Sequence, residues 1–123
     1  MINLSNHPVK GWGPAQLAEA EKSYGRVVDL PFPAIPAAAS SDEIVDLSSE
    51  FVNQCKKLLA NRGGPHAIHV MGEMTFTFVL VKQLQRAGFH CVASTSKRKV
   101  EQVAPGEKKS IFTFVQFRSY PIL

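Results

Sequence analysis

The sequence has only two cysteines, Cys55 and Cys91, and no apolar run close to the ~18 residues that a membrane span needs. Two cysteines are too few for a disulfide framework, and hydrophobic periodicity turns both toward the core. We therefore predict buried free thiols rather than a redox pair. Residues 1–7 lack the basic patch and apolar stretch of a signal peptide, so a cytoplasmic protein with no membrane partner is expected.

Several motifs of nucleotide and ester chemistry are also missing. The chain contains no Walker motif, no G-x-G-x-x-G and no G-x-S-x-G, which argues against NTPases, dinucleotide oxidoreductases and α/β-hydrolases. His66 and His69 are three residues apart on a predicted strand, so they face opposite sides and cannot chelate one metal together. His66, His69 and His90, which lie at or in predicted strands, are expected to be packed or edge residues. We predict neither a metal site nor a cofactor.

The 123 residues, 45% hydrophobic and 20% charged, correspond to one globular domain over residues 1–123. A chain of this size buries roughly two-thirds of its unfolded surface, enough for a core without disulfides or a structural metal. Its charge is uneven: residues 1–81 carry six Lys and Arg against eight Asp and Glu, whereas residues 82–123 carry eight against two. Concentrated positive charge attracts polyanions, so the last third suggests a phosphate-bearing partner; solubility alone is the alternative.

The first half of the chain alternates short strands with helices. Pro14 suits a first helical position and Gly25 a helix stop, while Ser40 and Glu43 form a capping box. The predicted elements are a strand at 2–4, a helix at 14–24, a strand at 26–30 and a helix from the capping box to the glycines at 63–64. The apolar face expected on the second helix comprises Ile44, Leu47, Phe51, Cys55, Leu58 and Leu59.

The second half contains one ambiguous segment. Residues 76–81 have strand propensity but continue without a turn signal into a helical composition that stops at Gly88, so we predict one helix, buried on several sides. Ser94–Ser96 is predicted to be a turn, and residues 104–107 to join a hairpin. The predicted elements are a strand at 67–71, a helix at 75–87, a strand at 89–93 and hairpin strands at 99–103 and 110–120.

This order of elements determines the fold class. Strands that alternate with helices require crossover connections and a mostly parallel sheet. We therefore predict a single α/β Rossmann-like domain, with a mostly parallel open sheet, helices on both faces and a C-terminal β-hairpin.

Open parallel sheets bind ligands at the carboxyl ends of their strands, near the point where the strand order reverses. With strand order 2-1-3-4 the reversal lies between the first and third strands, and residues 94–98 flank it. Four loops follow strand ends, at 5–8, 31–33, 72–75 and 94–98. The residues expected at the crevice are Asn6, His7, Glu73 and Thr75.

Two of these loops suit a phosphate. Ser94, Thr95 and Ser96 offer three hydroxyls beside Lys97 and Arg98, although a solvated turn before a hairpin has the same composition. The turn at Gly72 leads into a helix N-terminus, a general anion site. Glu73 in that first turn has an alternative role, which is to stabilise the helix dipole.

His7 is the one histidine in a loop that follows a strand. An imidazole there could act as a general acid or base near neutral pH, and a turn-stabilising role is equally open. Trp12 and Tyr24 could stack on a base, but core packing or helix capping is favoured for each.

The chain as a whole resembles the small stand-alone CRISPR-associated proteins built on a CARF domain, especially those regarded as ring nucleases. The resemblance spans nearly the full length. It rests on the opening strand that leads into Ser5-Asn6-His7-Pro8, on Val27–Leu30, on the block Met71–Phe76, and on the strand-end block Ala93–Arg98. In that family, a small hydroxyl residue followed by Lys or Arg after the fourth strand holds the ligand. Ser94 with Lys97 and Thr95 with Arg98 fit that spacing.

This resemblance implies a CARF-like domain that forms a homodimer, whose two-fold axis passes through a bound cyclic oligoadenylate, with cyclic tetra-adenylate as the expected ring. It implies metal-independent attack of a ribose 2′-hydroxyl on the adjacent phosphate, which leaves a 2′,3′-cyclic phosphate. Lys97 and Arg98 would stabilise charge, and His7 or Glu73 would move the proton. Residues implied in ligand binding are Ser5, Asn6, Gly72, Thr75, Ser94, Thr95 and Ser96.

Two other functions stay open. A protein that only binds the cyclic messenger, as a sensor or a sponge, needs the same loops without a competent base. A basic module that binds RNA or DNA through Lys97–Lys99 and Lys108–Lys109 would show a steep dependence on salt. Few exposed aromatic residues are expected near those lysines, so no stable nucleic-acid partner is expected.

Overall fold

A computed structural model describes residues 1–123 as an open five-stranded sheet with helices on both faces. The strand order is β2-β1-β3-β4-β5, with β1 to β4 parallel and β5 antiparallel to β4. The elements are β1 (Ile2–Ser5), α1 (Pro14–Tyr24), β2 (Val28–Asp29), α2 (Ser41–Leu59), β3 (Ile68–Met71), α3 (Met74–Arg86), β4 (Cys91–Ala104) and β5 (Glu107–Ser119). The predicted α/β class is confirmed, and the order 2-1-3-4, on which the expected crevice depended, is the one observed.

The two faces of the sheet differ in chemistry. One face packs against α2 and α3 through an apolar cluster that includes Ile2, Leu4, Ile68, Val70 and the helix side chains. Because side chains alternate along a strand, the intervening residues of β1 and β3 face α1. That second face is smaller and has polar residues among the apolar ones, so it is the face on which to look for a site.

The α2 and α3 side holds the main core. Phe76, Leu80 and Leu84 of α3 are fully buried, and each such side chain contributes roughly 1.5–3 kcal/mol by leaving water. Val81 is also buried, whereas Phe78 is 68% exposed. The prediction of a helix here is confirmed; it packs against α2, β3 and β4, and its open side is marked by Phe78.

Helix α2 begins as predicted. The Ser40 hydroxyl accepts from the Glu43 backbone N–H at 3.1 Å, and the Glu43 carboxylate reaches back to the Ser40 backbone. Cys55 is buried on its inner face, whereas Leu58, which was predicted on the same face, is 39% exposed. Burial raises the pKa of both Cys55 and Cys91 to about 12, and both are free thiols, as predicted.

The largest difference from prediction lies in β4. Residues 94–96 do not form a turn; β4 continues through them to Ala104 and pairs with β5 along its length. Ser and Thr favour turns only when the backbone lacks a better partner, and the ladder with β5 supplies one. The register shifts between Thr95 and Ser96, where a bulge interrupts the pairing. The hairpin turn at 104–107 is confirmed, with Gly106 at a positive φ of 80°.

Candidate functional site

A cavity of about 430 Å³ opens on the α1 face at the carboxyl ends of β1, β3 and β4. Its position is the one expected for an open parallel sheet, beside the reversal of strand order between β1 and β3. Its ten lining residues are His7, Gly11, Trp12, Gln16, Met71, Ser94, Thr95, Ser96, Phe112 and Phe114. Hydroxyls, an imidazole and aromatic rings therefore share one opening.

A groove of about 490 Å³ between α1 and β5 is slightly larger than this cavity. Its one acidic side chain, Glu19, already accepts a hydrogen bond from Ser23 at 3.0 Å. We therefore place the candidate site in the cavity at the strand ends, where more groups can take part in chemistry.

A chain of hydrogen bonds across three strands lies behind the cavity lining and reaches it at Ser94. The His69 ring on β3 has Nδ1 at 2.8 Å from Asn3 Oδ1 on β1 and Nε2 at 3.1 Å from Ser94 Oγ on β4. The sheet register explains this alignment, because Asn3 pairs with His69, and His69 pairs with Val92, two residues before Ser94. All three side chains therefore point to the same face.

The surroundings of Asn3 fix its amide orientation. Its Nδ2 donates to Asp29 Oδ1 and to the His7 backbone carbonyl, each at 2.8 Å. Its Oδ1 accepts from Ser5 Oγ at 2.7 Å and faces the His69 ring. Since Oδ1 can only accept, His69 Nδ1 carries the proton and Nε2 is left with a free lone pair.

The free lone pair of His69 faces the Ser94 hydroxyl. Ser94 Oγ also lies 3.2 Å from Met71 Sδ, but a thioether sulfur is a weak acceptor beside an imidazole nitrogen. His69 is 1% exposed, and this burial, together with the nearby His7, lowers the pKa of its imidazole to about 4. His69 is therefore a neutral acceptor for the Ser94 proton across the physiological pH range.

The loop after β1 closes one wall of the cavity. Its His7 backbone N–H donates to Ser5 Oγ at 3.1 Å, and its carbonyl accepts from Trp12 Nε1 at 2.9 Å. The Trp12 ring then stands edge-on to His69, with 5.3 Å between ring centroids. Trp12 thus packs, as favoured from the sequence, and also lines the cavity.

Among the residues predicted from sequence, Ser94, Thr95, Ser96 and His7 meet at the cavity. The bulge between Thr95 and Ser96 allows two consecutive side chains to face it. Ser5 is buried behind His7, whereas Asn6 is exposed and only its backbone N–H is anchored, to the Met71 carbonyl at 3.1 Å. Ser5 therefore shapes the loop rather than lining the cavity.

The two predicted cations do not line the cavity of the single chain. Arg98 donates from Nε and Nη2 to Ser110 Oγ across the hairpin, at 3.3 and 3.1 Å. Lys97 follows Ser96 along β4 and so points to the opposite face of the hairpin. Both side chains are exposed on the distal part of the hairpin.

The predicted anion site at the start of α3 already has an occupant. The Glu73 carboxylate accepts from the backbone N–H groups of Thr75 and Phe76 and so caps the helix from within the chain. Gly72 lies directly under the Phe32 ring, where any Cβ would overlap the ring. Gly72, Glu73 and Thr75 thus lie outside the cavity. The contacts of Glu73 agree with the alternative role, which is to stabilise the start of α3.

Sequence reasoning missed Asn3 and His69 as members of the site. His69 is packed in a strand, as expected, but its ring also contacts Ser94, which lines the cavity. One signal was present: buried parallel strands read as nearly continuous apolar runs, and Asn3, Ser5 and His69 interrupt two of them. Phe112 and Phe114 reach the cavity only because β5 pairs along the whole of β4.

No group of three or more His, Cys, Asp or Glu side chains is arranged to hold a metal ion, and none of the helices combines the length and apolarity of a membrane span. The model of one protein family, the uncharacterized protein MJ1673 family, matches residues 1–118. Neither the curated proteins nor the solved structures contain a match to this chain.

Proposed function

The chain belongs to the uncharacterized protein MJ1673 family, and we propose that it is a ring nuclease that binds and cleaves a cyclic oligoadenylate. The proposed ligand is cyclic tetra-adenylate, a second messenger of type III CRISPR defence. In the proposed reaction a ribose 2′-hydroxyl attacks the adjacent phosphate without a metal and leaves a 2′,3′-cyclic phosphate.

The observation that carries this proposal is the composition of the cavity at the strand ends. Three consecutive hydroxyl residues, Ser94 to Ser96, line the same cavity as His7. Hydroxyls donate to phosphate oxygens, and an imidazole exchanges protons near neutral pH. The Trp12 and Phe112 rings at the same opening suit adenine, since bases stack on aromatic side chains.

The basic hairpin supplies the charge that the cavity lacks. Residues 97–118 carry six Lys and Arg against two Glu, and this part of the hairpin adjoins the cavity through Phe112 and Phe114. Arg98 is bound only to the neutral hydroxyl of Ser110. A phosphate would outcompete that hydroxyl, because hydrogen bonds between two charged groups are roughly twice as strong as neutral ones.

Proton transfer to the leaving 5′-oxygen falls to His7 in this scheme. His7 is exposed at the cavity, whereas the other candidate, Glu73, has its carboxylate committed to the start of α3. In a homodimer, each subunit would present one cavity to the same cyclic ligand.

Incubation of the purified protein with cyclic tetra-adenylate in EDTA, followed by chromatography and mass analysis, tests the proposal. We expect linear products with 2′,3′-cyclic phosphate ends. The Arg98→Ala variant should lose about 10²–10³-fold in rate, as when one donor to a developing charge is removed. Lys57→Ala, which removes an exposed charge from α2 on the other face of the sheet, is the matched control. An intact, unbound ring would contradict the proposal.

A binder without catalysis is the second candidate, favoured by the placement of Lys97 and Arg98 outside the cavity. It differs in the same experiment, because the ring would co-elute intact with the protein. A third outcome is the nucleic-acid module, favoured by the basic hairpin. That function would show affinity for RNA or DNA that falls steeply with salt and no preference for a cyclic ligand.

A further inference from the structure

The cavity holds three hydroxyls on β4, and only that of Ser94 contacts an imidazole. Ser94 Oγ lies 3.1 Å from His69 Nε2, whereas Thr95 Oγ1 donates to the Gln116 carbonyl at 3.4 Å and Ser96 is exposed. A hydroxyl that can pass its proton to a neutral imidazole is the group that a proton-abstraction step requires. Ser94 is therefore chemically distinct from its neighbours in the cavity.

We infer that Ser94 is a catalytic residue that accepts the proton of the attacking ribose 2′-hydroxyl and passes its own proton to His69. His69 and Asn3 act through Ser94 and are positioning residues. This inference rests on the proposed ring nuclease, and it replaces His7 and Glu73 as the first proton acceptor with a buried relay.

The step balances as a proton shuttle. The 2′-hydroxyl proton moves to Ser94 Oγ while the Ser94 proton moves to His69 Nε2, and the 2′-oxygen forms a bond to phosphorus. The bond from phosphorus to the 5′-oxygen breaks, and that oxygen takes its electron pair and a proton from His7 or water. His69 later returns its extra proton to solvent through Ser94. Where His7 was the donor, it takes a proton back from solvent, so the enzyme ends unchanged.

The surroundings of His69 suit this role. Its Nδ1 proton stays bound to Asn3 Oδ1, so the ring cannot rotate and Nε2 stays directed at Ser94. Two titratable groups face the relay: His7 from the loop after β1 and Asp29 from β2, the latter through the Asn3 amide. The Asp29 carboxylate polarises that amide and helps to stabilise the imidazolium that forms.

The main test separates binding from the chemical step. We expect Ser94→Ala to lose about 10²–10⁴-fold in single-turnover rate, the usual contribution of general base catalysis. The rate is measured at a saturating concentration of cyclic tetra-adenylate, so that weaker binding of the ring does not enter it. Ser94→Thr, which keeps the hydroxyl, should restore part of that rate. Ser119→Ala is the matched control, because it breaks a second Ser–His contact, with His90, that lies outside the cavity.

The pH dependence of the wild-type cleavage rate is a second readout. It would not depend on the pKa of His69 if His69 had only a structural role. His69 accepts a proton only while neutral, and burial places its pKa at about 4. The rate should therefore hold as the pH falls below 6 and decline near pH 4. A base with an ordinary imidazole would instead decline near pH 6.5. Circular dichroism at each pH separates loss of rate from unfolding.

The outcomes distinguish this inference from the proposed function. Wild-type cleavage with an impaired Ser94→Ala and an acid limb near pH 4 supports the relay. Wild-type cleavage with an unimpaired Ser94→Ala overturns the relay and leaves the ring nuclease standing. A wild-type protein that does not cleave the ring overturns both.

Discussion

The two ends of the sheet each carry a contact between a serine and a histidine. At the carboxyl ends of the parallel strands Ser94 Oγ is 3.1 Å from His69 Nε2, and at the opposite end Ser119 Oγ is 2.8 Å from His90 Nε2. The shorter hydrogen bond is at the end without the cavity. Length alone therefore does not indicate which pair can do chemistry.

The environments of the two pairs differ. His69 is buried, its other nitrogen is held by Asn3, and a cavity opens over its serine. His90 is exposed and packs edge-on against Tyr24 at 5.8 Å between ring centroids. A site thus needs a fixed tautomer, exclusion of water and room for a ligand, and only the first pair has all three.

The largest expected effect on stability comes from removing the support of the buried pair. Asn3→Leu would leave the buried His69 Nδ1 proton without its acceptor and would remove one hydrogen bond each from the Ser5 hydroxyl and the exposed Asp29 carboxylate. A buried polar group left unpaired costs about 1–3 kcal/mol, and with the Ser5 hydrogen bond also lost we expect a loss of about 3 kcal/mol in the free energy of unfolding. Urea denaturation measures it, and a loss below about 1 kcal/mol would contradict the network.

A comparable effect should appear in the pH dependence of stability. The folded pKa of His69, about 4, is below the ordinary 6.5, so the unfolded chain binds more protons between these values. The contribution of neutral His69 to the free energy of unfolding is fully present above pH 6.5, and the free energy of unfolding falls by about 3 kcal/mol as the pH drops toward 4.

Two matched variants assign that slope. His69→Gln should flatten the dependence of the free energy of unfolding on pH between 4 and 7. His90→Gln removes the exposed imidazole and should leave the wild-type slope. Equal slopes in all three proteins would show that His69 is not buried in its neutral form.

A smaller effect is expected on ligand affinity. Trp12→Ala removes a ring at the cavity mouth, and one base stacked on an aromatic side chain contributes about 1–3 kcal/mol. Calorimetry with cyclic tetra-adenylate should therefore show roughly 5–150-fold weaker binding. The control is Tyr24→Ala, which removes the aromatic partner of His90 at the other end of the sheet and should leave the affinity for the ring unchanged. Equal affinities in the two variants would contradict a ligand site beside Trp12.

The smallest effect is expected from the exposed pair itself. Ser119→Ala breaks one surface hydrogen bond and should change the free energy of unfolding by no more than about 0.5 kcal/mol. Thermal denaturation of Ser119→Ala and Asn3→Leu under the same conditions compares the two losses directly. A large loss in Ser119→Ala would mean that the two ends of the sheet are supported alike.

Much of the fold was predictable because local signals agreed with tertiary packing. The capping box at Ser40 and Glu43 and the glycine that follows α1 mark helix ends by local backbone chemistry. The course of β4 was not predictable in this way. Its hydroxyl residues suit a turn locally, and only pairing with β5, some twenty residues away along the chain, makes them part of a strand.

The site was predictable in part for the same reason. Rules for parallel sheets directed attention to strand ends, and that is where Ser94, Ser96 and His7 meet. His69 lies 66 residues from Asn3, and their contact depends on the register of β1 with β3. The hairpin likewise places Arg98 against Ser110. The spacing of residues after the predicted fourth strand, which ended at residue 93, could not indicate this contact.

The most direct test of the central claim is an NMR titration with a ring that binds but cannot react. Cyclic tetra-adenylate methylated at its 2′-oxygens lacks the attacking hydroxyl, so the complex is stable enough to map. We expect shifts in the resonances of Ser94, the His69 ring and the Trp12 indole, with none at Ser119 or His90. Shifts confined to the Ser119 and His90 end, or no shifts at all, would contradict a ligand site at the carboxyl ends of the strands.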